Sequence, residues 1–396
     1  MKLENKADLL LKGARVIDPA NKRNSILDLT IKDGKISRID NEISSDQADT
    51  SIDLSGLLVT PGLIDMHLHA YATRHHRSGN FMDSLNPDAH FPASGVTTCV
   101  DTGTAGADEI GHFRETVMDQ SKTRVLAYVN IAKPGMGTPE QTISNFDAEA
   151  AAEAAETHAK VVVGIKTAHY WTNLPFDKDH PPWESVEKAV EAGNLCNMPA
   201  MIDFHPRPPD RPYSELLLKK LRPGDIHTHV FARHIPTINE NGKVERYMFQ
   251  ARDRGIWFDL GHGAASFWFR NGIRAIDEGF GPDSISTDLH MSNILGPVFT
   301  MADTMSKCLI MGMSLEEVIF RSTVTPAQAI QRPKLGTLSV GAEADIAVFD
   351  LQKGEFSYPD CGRKRLDGKE RLECKLTIRN GEVIYDRDAM TAAPWK

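Results

Sequence analysis

The feature that most limits the fold is a series of eight short apolar runs through the middle of the chain. They are "LLVTPGLIDMHLH", "VTTCVDTG", "TRVLAYVNIA", "VVVGIKTA", "PAMIDFHP", "DIHTHVF", "IWFDLGHG" and "SISTDLH". Near-continuous apolar runs suit strands buried on both faces. Between most of them lie amphipathic or Ala/Glu-rich stretches, such as "FDAEAAAEAAETHAK", "ESVEKAVEAGNL" and "VERYMFQARDRG", which read as helices. Strands alternating with helices predict an α/β fold with a parallel sheet covered by helices. Eight such units in about 270 residues match a (β/α)8 TIM barrel. A doubly wound sheet is the alternative. The sequence contains neither G-x-G-x-x-G nor a Walker A phosphate loop.

Both ends of the chain differ from this middle. "DLLLKGARVID", "DLTIKDGKISRID" and "SIDLSGLLVTPG" near the start, and "ADIAVFDLQ" and "KLTIRNGEVIYD" near the end, read as short strands joined by turns. Asp33-Gly34 and Asn380-Gly381 are the dipeptides that supply the positive φ angles of a tight hairpin. The economical organisation is a small composite β-sandwich domain made of residues 1–58 and 336–396. The (β/α)8 domain, residues 59–335, is then inserted between its halves.

Charge narrows the function classes. The formal net charge is −9, with 54 acidic against 45 basic residues, which leaves no electrostatic footprint for nucleic acid or an anionic membrane. No apolar run approaches the length of a bilayer span. The N-terminal stretch lacks the apolar core of a secretory signal. Five scattered cysteines without CxxC spacing fit reduced thiols rather than a disulfide framework. These observations predict a cytoplasmic protein acting on a small molecule.

Six of the eight runs carry a His, Lys or Asp near the C-terminal end. In a barrel these ends converge on one rim, where active sites sit. His67 and His69 end the first run, and alternate residues of a strand point the same way, so both imidazoles can face one metal ion. In a chain with 15 histidines the H-x-H spacing carries little by itself, and its weight comes from this position. Lys166 ends the fourth run, where a bare cation is costly to bury. It fits either a carboxylate partner or conversion by CO2 to a carbamate that bridges two metals. Asp288, the acid of the eighth run, fits a metal ligand and general acid/base, or alternatively a helix cap or ion pair. His290, Met291 and Asn293 follow it and would lie over the site. His227 and His229 share the sixth run and, by alternation, one side, so at least one is expected to bind metal. His262, ending the seventh run, fits a substrate contact or a structural role.

With these residues in place, the chain resembles the amidohydrolase superfamily. H-x-H on the first strand, Lys on the fourth, His on the fifth and sixth and Asp on the eighth is the ligand order of that superfamily. The stretches "VTPGLIDMHLH", "GVTTCVDTG", "VGIKTA", "LRPGDIHTHVF", "FDLGHGAASF", "ISTDLH" and "LGTLSVGAEADIAVFDL" resemble its deacetylase-like group, often labelled dihydroorotase-like. The resemblance runs over nearly the full length. It implies two divalent metal ions, expected to be zinc, with His67, His69 and Asp288 on one. A CO2-derived carbamate on Lys166 would bridge the two, and His229 would bind the second. One position departs from the pattern: Asp203 stands where the fifth-strand histidine is expected, with His205 two residues on. Either could be the ligand. His227 is then a neighbour of the ligand set.

The implied chemistry is hydrolysis of an amide or ester by a metal-activated hydroxide, with Asp288 as general acid/base. The implied substrate is a small N-acyl amino acid or acyloxy carboxylic acid. The alternatives are a cyclic amide hydrolase of the dihydroorotase or hydantoinase kind, and a non-catalytic scaffold. Arg207 is a candidate partner for a substrate carboxylate. Tyr170, Trp171, His169 and His290 are candidate pocket walls. The resemblance also implies a homo-oligomer.

Overall fold

The computed structural model describes residues 6–72 and 84–395. Two sheets organise the chain. One is parallel and runs through the middle. Its strands are β1 (Leu63–Leu68), β2 (Val96–Gly106), β3 (Arg124–Asn130), β4 (Val162–Thr167), β5 (Ala200–Ile202), β6 (Ile226–His227) and β7 (Trp257–Phe258), each paired with the next.

The eighth run, expected as a strand, instead makes only isolated bridges, at Ser284 to Asp259 and at Leu289 to Leu68. Its backbone nevertheless hydrogen-bonds on both sides. Leu260 N donates to Ser284 O at 2.9 Å, and His69 N donates to Leu289 O at 3.0 Å. The sheet therefore curls until its two edges share one segment. Asp288 within that segment has a left-handed φ of 49°, which breaks regular strand geometry.

The parallel sheet is buried on both faces, as its apolar runs require. Along β3, Val125, Ala127 and Val129 join the main core, while Leu126 and Tyr128 join a separate cluster with Ile64, Met66, Val100, Val163, Met201 and Ile226. The helices expected between strands form at Ala148–Thr157, Glu184–Leu195 and Arg246–Asp253. The first starts where Asp147 accepts a hydrogen bond from Ala150 N, an N-cap of the usual kind. Its buried face is Ala148, Ala151, Ala152 and Ala155, a spacing that matches one side of a helix.

The second sheet draws on both ends of the chain. In order it contains Glu382–Asp386, Arg365–Arg379, Ile346–Pro359, Leu58–Pro61, Ala7–Asp18, Arg23–Lys32 and Lys35–Asp40, with Ala48–Asp53 also on Ala7–Asp18. Both expected hairpin turns are present: Asp33 and Gly34 have φ of 50° and 75°, and Asn380 and Gly381 have 51° and 80°. Gly62 marks the step from this sheet into β1. A Cβ there would meet Thr97 Oγ1 at 2.2 Å, so glycine leaves room for the buried Thr97 side chain. All five cysteines are free. No helix among the described residues is long and apolar enough to cross a membrane.

Candidate metal centre

Three of the expected ligands converge on Asp288. His69 Nε2 lies 3.2 Å and His67 Nε2 3.6 Å from Asp288 Oδ1, and His229 Nε2 lies 4.0 Å from Oδ2. His67, His229 and Asp288 form a group whose ligand atoms all lie within 4.8 Å of one another. Asp203 closes the far side, with Oδ2 3.5 Å from His229 Nε2.

Each imidazole is turned by a bond on its other nitrogen. His229 Nδ1 donates to Gly261 O at 2.6 Å. Thr228 Oγ1 gives its proton to Asp259 Oδ2 at 2.7 Å, so it accepts from His67 Nδ1 at 2.8 Å. His69 Nδ1 lies 2.7 Å from Thr104 Oγ1, and Asp101 holds the Thr104 backbone N–H at 2.8 Å. With Nδ1 committed, His67 presents a bare Nε2 lone pair, the tautomer that binds a metal, and His229 does so once its Nε2 proton leaves. In the metal-free protein the Nε2 proton of His229 faces Asp203, and a metal cation would take that proton's place between imidazole and carboxylate. Asp203 Oδ1 is also buried without a hydrogen-bond partner. The donor set therefore fits a divalent metal.

Electrostatics point the same way. Burial alone would raise Asp288, but His67, His69 and His229 hold it below the usual carboxylate range. Burial would likewise raise Asp203, and His229 overrides it and keeps it well below that range. Burial works against a charged His229, yet the Asp203 carboxylate lifts it to about 9. His67 is pushed down to about 4, mainly by burial and then by Lys166. Lys166 is 1% exposed, and burial lowers it against the pull of Asp203 and Asp288. A lowered lysine releases its proton more readily, which favours the neutral amine that carbamate formation needs.

The remaining sequence candidates separate. Asp203 faces His229, whereas His205 stacks on His234 with ring centroids 4.0 Å apart. His227 does not share a side with His229. β6 ends at His227, and His229 takes φ of 63°, so strand alternation stops between them. Thr228 points at His67 instead, while His227 packs against Tyr213 and Phe258. A cavity of about 600 Å³ opens over the centre, lined in part by Asp203, His205, His229, Asp288 and His290. His169 also lines it, as expected of a pocket wall.

Tyr170, Arg207 and His262 do not line this cavity. Tyr170 is buried, with its hydroxyl donating to Pro181 O at 3.0 Å and its ring edge-on to Phe146. Arg207 donates to Trp171 O at 3.1 Å and to Leu174 O, and lies over Phe176. Those bonds tie one guanidinium nitrogen, Nη1, to a loop. His262 is fully buried behind the cavity wall. Trp171 stacks on His180 at 3.5 Å. Asn293 braces the centre by donating from Nδ2 to Asp288 O at 2.8 Å, and Met291 is half exposed.

Sequence reasoning missed Asp259, Thr228 and the loop after β3. Asp259 accepts from Ser284 Oγ at 2.6 Å and Ser286 Oγ at 2.7 Å, besides Thr228 and His67. It lies in the quoted run "IWFDLGHG", and an acid inside an otherwise apolar strand was the available signal. Met136, Gly137, Thr138 and Gln141 line the cavity from a Gly/Pro loop with no periodicity to flag it.

Comparison with known proteins agrees with this geometry. Residues 269–384 match a family described as "Amidohydrolase family". A protein of Enterococcus faecalis named "Deacetylase" is 31% identical over 389 residues, which is 96% of this chain and 99% of that one. A solved structure titled as an adenine deaminase superposes with a TM-score of 0.86 at 30% identity, covering 96% of this chain and 100% of the other. One titled as a dihydroorotase gives 0.80 at 28% identity, covering 96% and 99%.

Proposed function

The chain belongs to the amidohydrolase family, and from that premise we propose that it is a zinc-dependent hydrolase of amide or ester bonds. Its substrate is a small N-acyl amino acid or acyloxy carboxylic acid, from which it removes an acyl group such as acetyl. The observation that carries this reading is the convergence of His67, His69 and His229 on Asp288, with Asp203 against His229 and each imidazole oriented through Nδ1. The name of the Enterococcus relative supports the acyl-transfer half of it.

In this proposal His67, His69, Asp288, Asp203, His229 and a Lys166 carbamylated by CO2 would hold the ions. Bound there, the ions supply Lewis acidity and a water acidified to near neutral pH. Asp288 takes the proton of the attacking water and passes it to the leaving nitrogen or oxygen. Its depressed basicity in the metal-free protein reflects three imidazoles, so deprotonation is secured before substrate arrives. Asn293 and the 2.6 Å bond from Asp288 N to His67 O fix its backbone for that transfer. The cavity wall of Thr138, Gln141, Ser266 and Ser292 offers neutral hydrogen-bonding groups to the rest of the substrate.

The same proposal takes the curled sheet as a complete (β/α)8 barrel spanning residues 59–335. Residues 1–58 and 336–396 form its composite β-sandwich companion, and the protein is a cytoplasmic homo-oligomer.

A panel of N-acetyl amino acids, acetoxy acids, dihydroorotate, a hydantoin and adenine tests the activity. Deacylation that Asp288→Asn abolishes in a folded protein is expected. Full activity in Asp288→Asn would remove its proton-transfer role. Ring opening without deacylation would replace the reading by the cyclic amidase. Absence of bound metal, with no turnover after zinc and bicarbonate are added, would leave a scaffold.

A further inference from the structure

Lys307 is a second buried lysine, and nothing in the proposed chemistry uses it. It sits on the helix Met301–Ile310 and is 0% exposed. Its ammonium donates to His262 Nε2 at 2.8 Å and to Pro297 O. Both direct acceptors are neutral, and among the described residues Asp303 and Asp360 act on it only from beyond ion-pair distance. A buried cation with only neutral partners is a poor way to stabilise a fold, and an apolar side chain of similar volume would serve better.

What the ammonium does is set the tautomer and angle of His262. Because Nε2 accepts from Lys307, the ring proton is on Nδ1, which donates to Gly263 O at 2.9 Å. Phe267 stacks on the ring at 4.3 Å and holds its plane. Cys361 Sγ, from the turn between strands Ile346–Pro359 and Arg365–Arg379 of the second sheet, donates to the same carbonyl at 3.3 Å. On its other side Gly263 N donates to Thr287 O at 2.9 Å.

Gly263 is the residue against which Asp288 rests. Its φ is 56°, and a Cβ there would lie 2.5 Å from Asp288 Oδ2. Ala264, Ala265 and Ser266, which follow directly, line the cavity. We infer that Lys307 is a positioning residue, holding through His262 the wall segment 263–266 that seats both Asp288 and the substrate. This rests on the hydrolase reading above, and assigns to His262 the role of a link in that brace rather than of a substrate contact.

The test uses Lys307→Met, His262→Phe and the double variant in the full-length, zinc-loaded protein. Each single change is expected to lower kcat/KM by about 10- to 100-fold, through both kcat and KM, as small misplacements of reacting groups do. Bound zinc should be unchanged, and Tm of Lys307→Met unchanged or higher. The double variant should lose no more than either single one, because both break the same chain of contacts. Independently of activity, hydrogen exchange of the metal-free protein should quicken for amides of 262–267 and not elsewhere.

Wild-type kcat/KM and exchange in Lys307→Met would overturn the inference. So would losses that multiply in the double variant, or loss of soluble protein in both single variants, which would make the pair a folding element. If the wild-type protein hydrolyses nothing in the panel, the proposed function fails, and the exchange measurement alone decides the role of Lys307.

Discussion

Asp259 offers the sharpest test of how the centre is held. It is fully buried, and four donors converge on it: Ser284 and Ser286 on Oδ1, Thr228 and His67 on Oδ2. Burial would raise its pKa, but the hydrogen bond from His67 wins and keeps it a carboxylate. In Asp259→Asn the amide nitrogen can face the two serines, whose hydroxyls rotate to accept, while Oδ1 still faces Thr228 and His67. All four bonds survive and only the charge is lost. Bonds to a charged group are worth about 1 kcal/mol more than neutral ones, and relief of a buried charge offsets part of that. The expected loss of stability is therefore only about 1–2 kcal/mol. The effect on the metal should be as large or larger. His67 loses the anion that makes its Nε2 basic, and outer partners of metal-bound histidines typically contribute about 10- to 100-fold in affinity. Asp259→Ala instead strands the donors and should cost about 3–5 kcal/mol. Urea melts give the stability terms, and chelator competition for zinc gives the affinity. Unchanged zinc affinity in a folded Asp259→Asn protein would refute the argument that charge at Asp259 tunes His67.

Three further outcomes follow from the geometry. Lys166→Ala should lose metal, and a short carboxylate from solution should restore part of it. Full metal content without that supplement would eliminate the carbamate. Asp203→Ala should lower the zinc stoichiometry while His205→Ala leaves it unchanged, because Asp203 faces His229 and His205 stacks on His234; the reverse result would move the ligand to His205. The metal-free protein should be most stable near pH 6.5. His229, raised from 6.5 to about 9, contributes stability that is complete below 6.5 and lost as pH climbs through 9. His67 and His234, lowered from 6.5 to about 4, resist protonation in the fold, so stability also falls as pH drops from 6.5 toward 4. Thermal melts of chelator-treated protein at pH 5, 6.5 and 9 measure this, and a flat profile would contradict it.

The alternation of apolar runs and helices was enough to place β1 to β7, because a strand buried on both faces leaves an unbroken apolar signature. Strand-end position was enough to expect that His67, His69 and Asp288 would lie together, as they do. Both hairpin turns were legible because Asp-Gly and Asn-Gly answer a local backbone demand.

What the linear pattern could not contain were choices made after a strand stops. Period-two reasoning assigned His227 and His229 to one side, but β6 ends at His227 and the left-handed φ of His229 turns it alone into the centre. Asp203 and His205 were equivalent in sequence until His234, some thirty positions away, took His205 as a stacking partner. Tyr170 and Arg207 lie at the rim by sequence, yet nearby backbone carbonyls claim their polar groups. Lys307 and Cys361 meet the wall at 262–263 only because a helix and a distant hairpin pack against it. Local propensity and periodicity act within a few residues and are therefore written in the sequence. Side-chain partnership across long separations is settled by packing, so only the folded chain decides it.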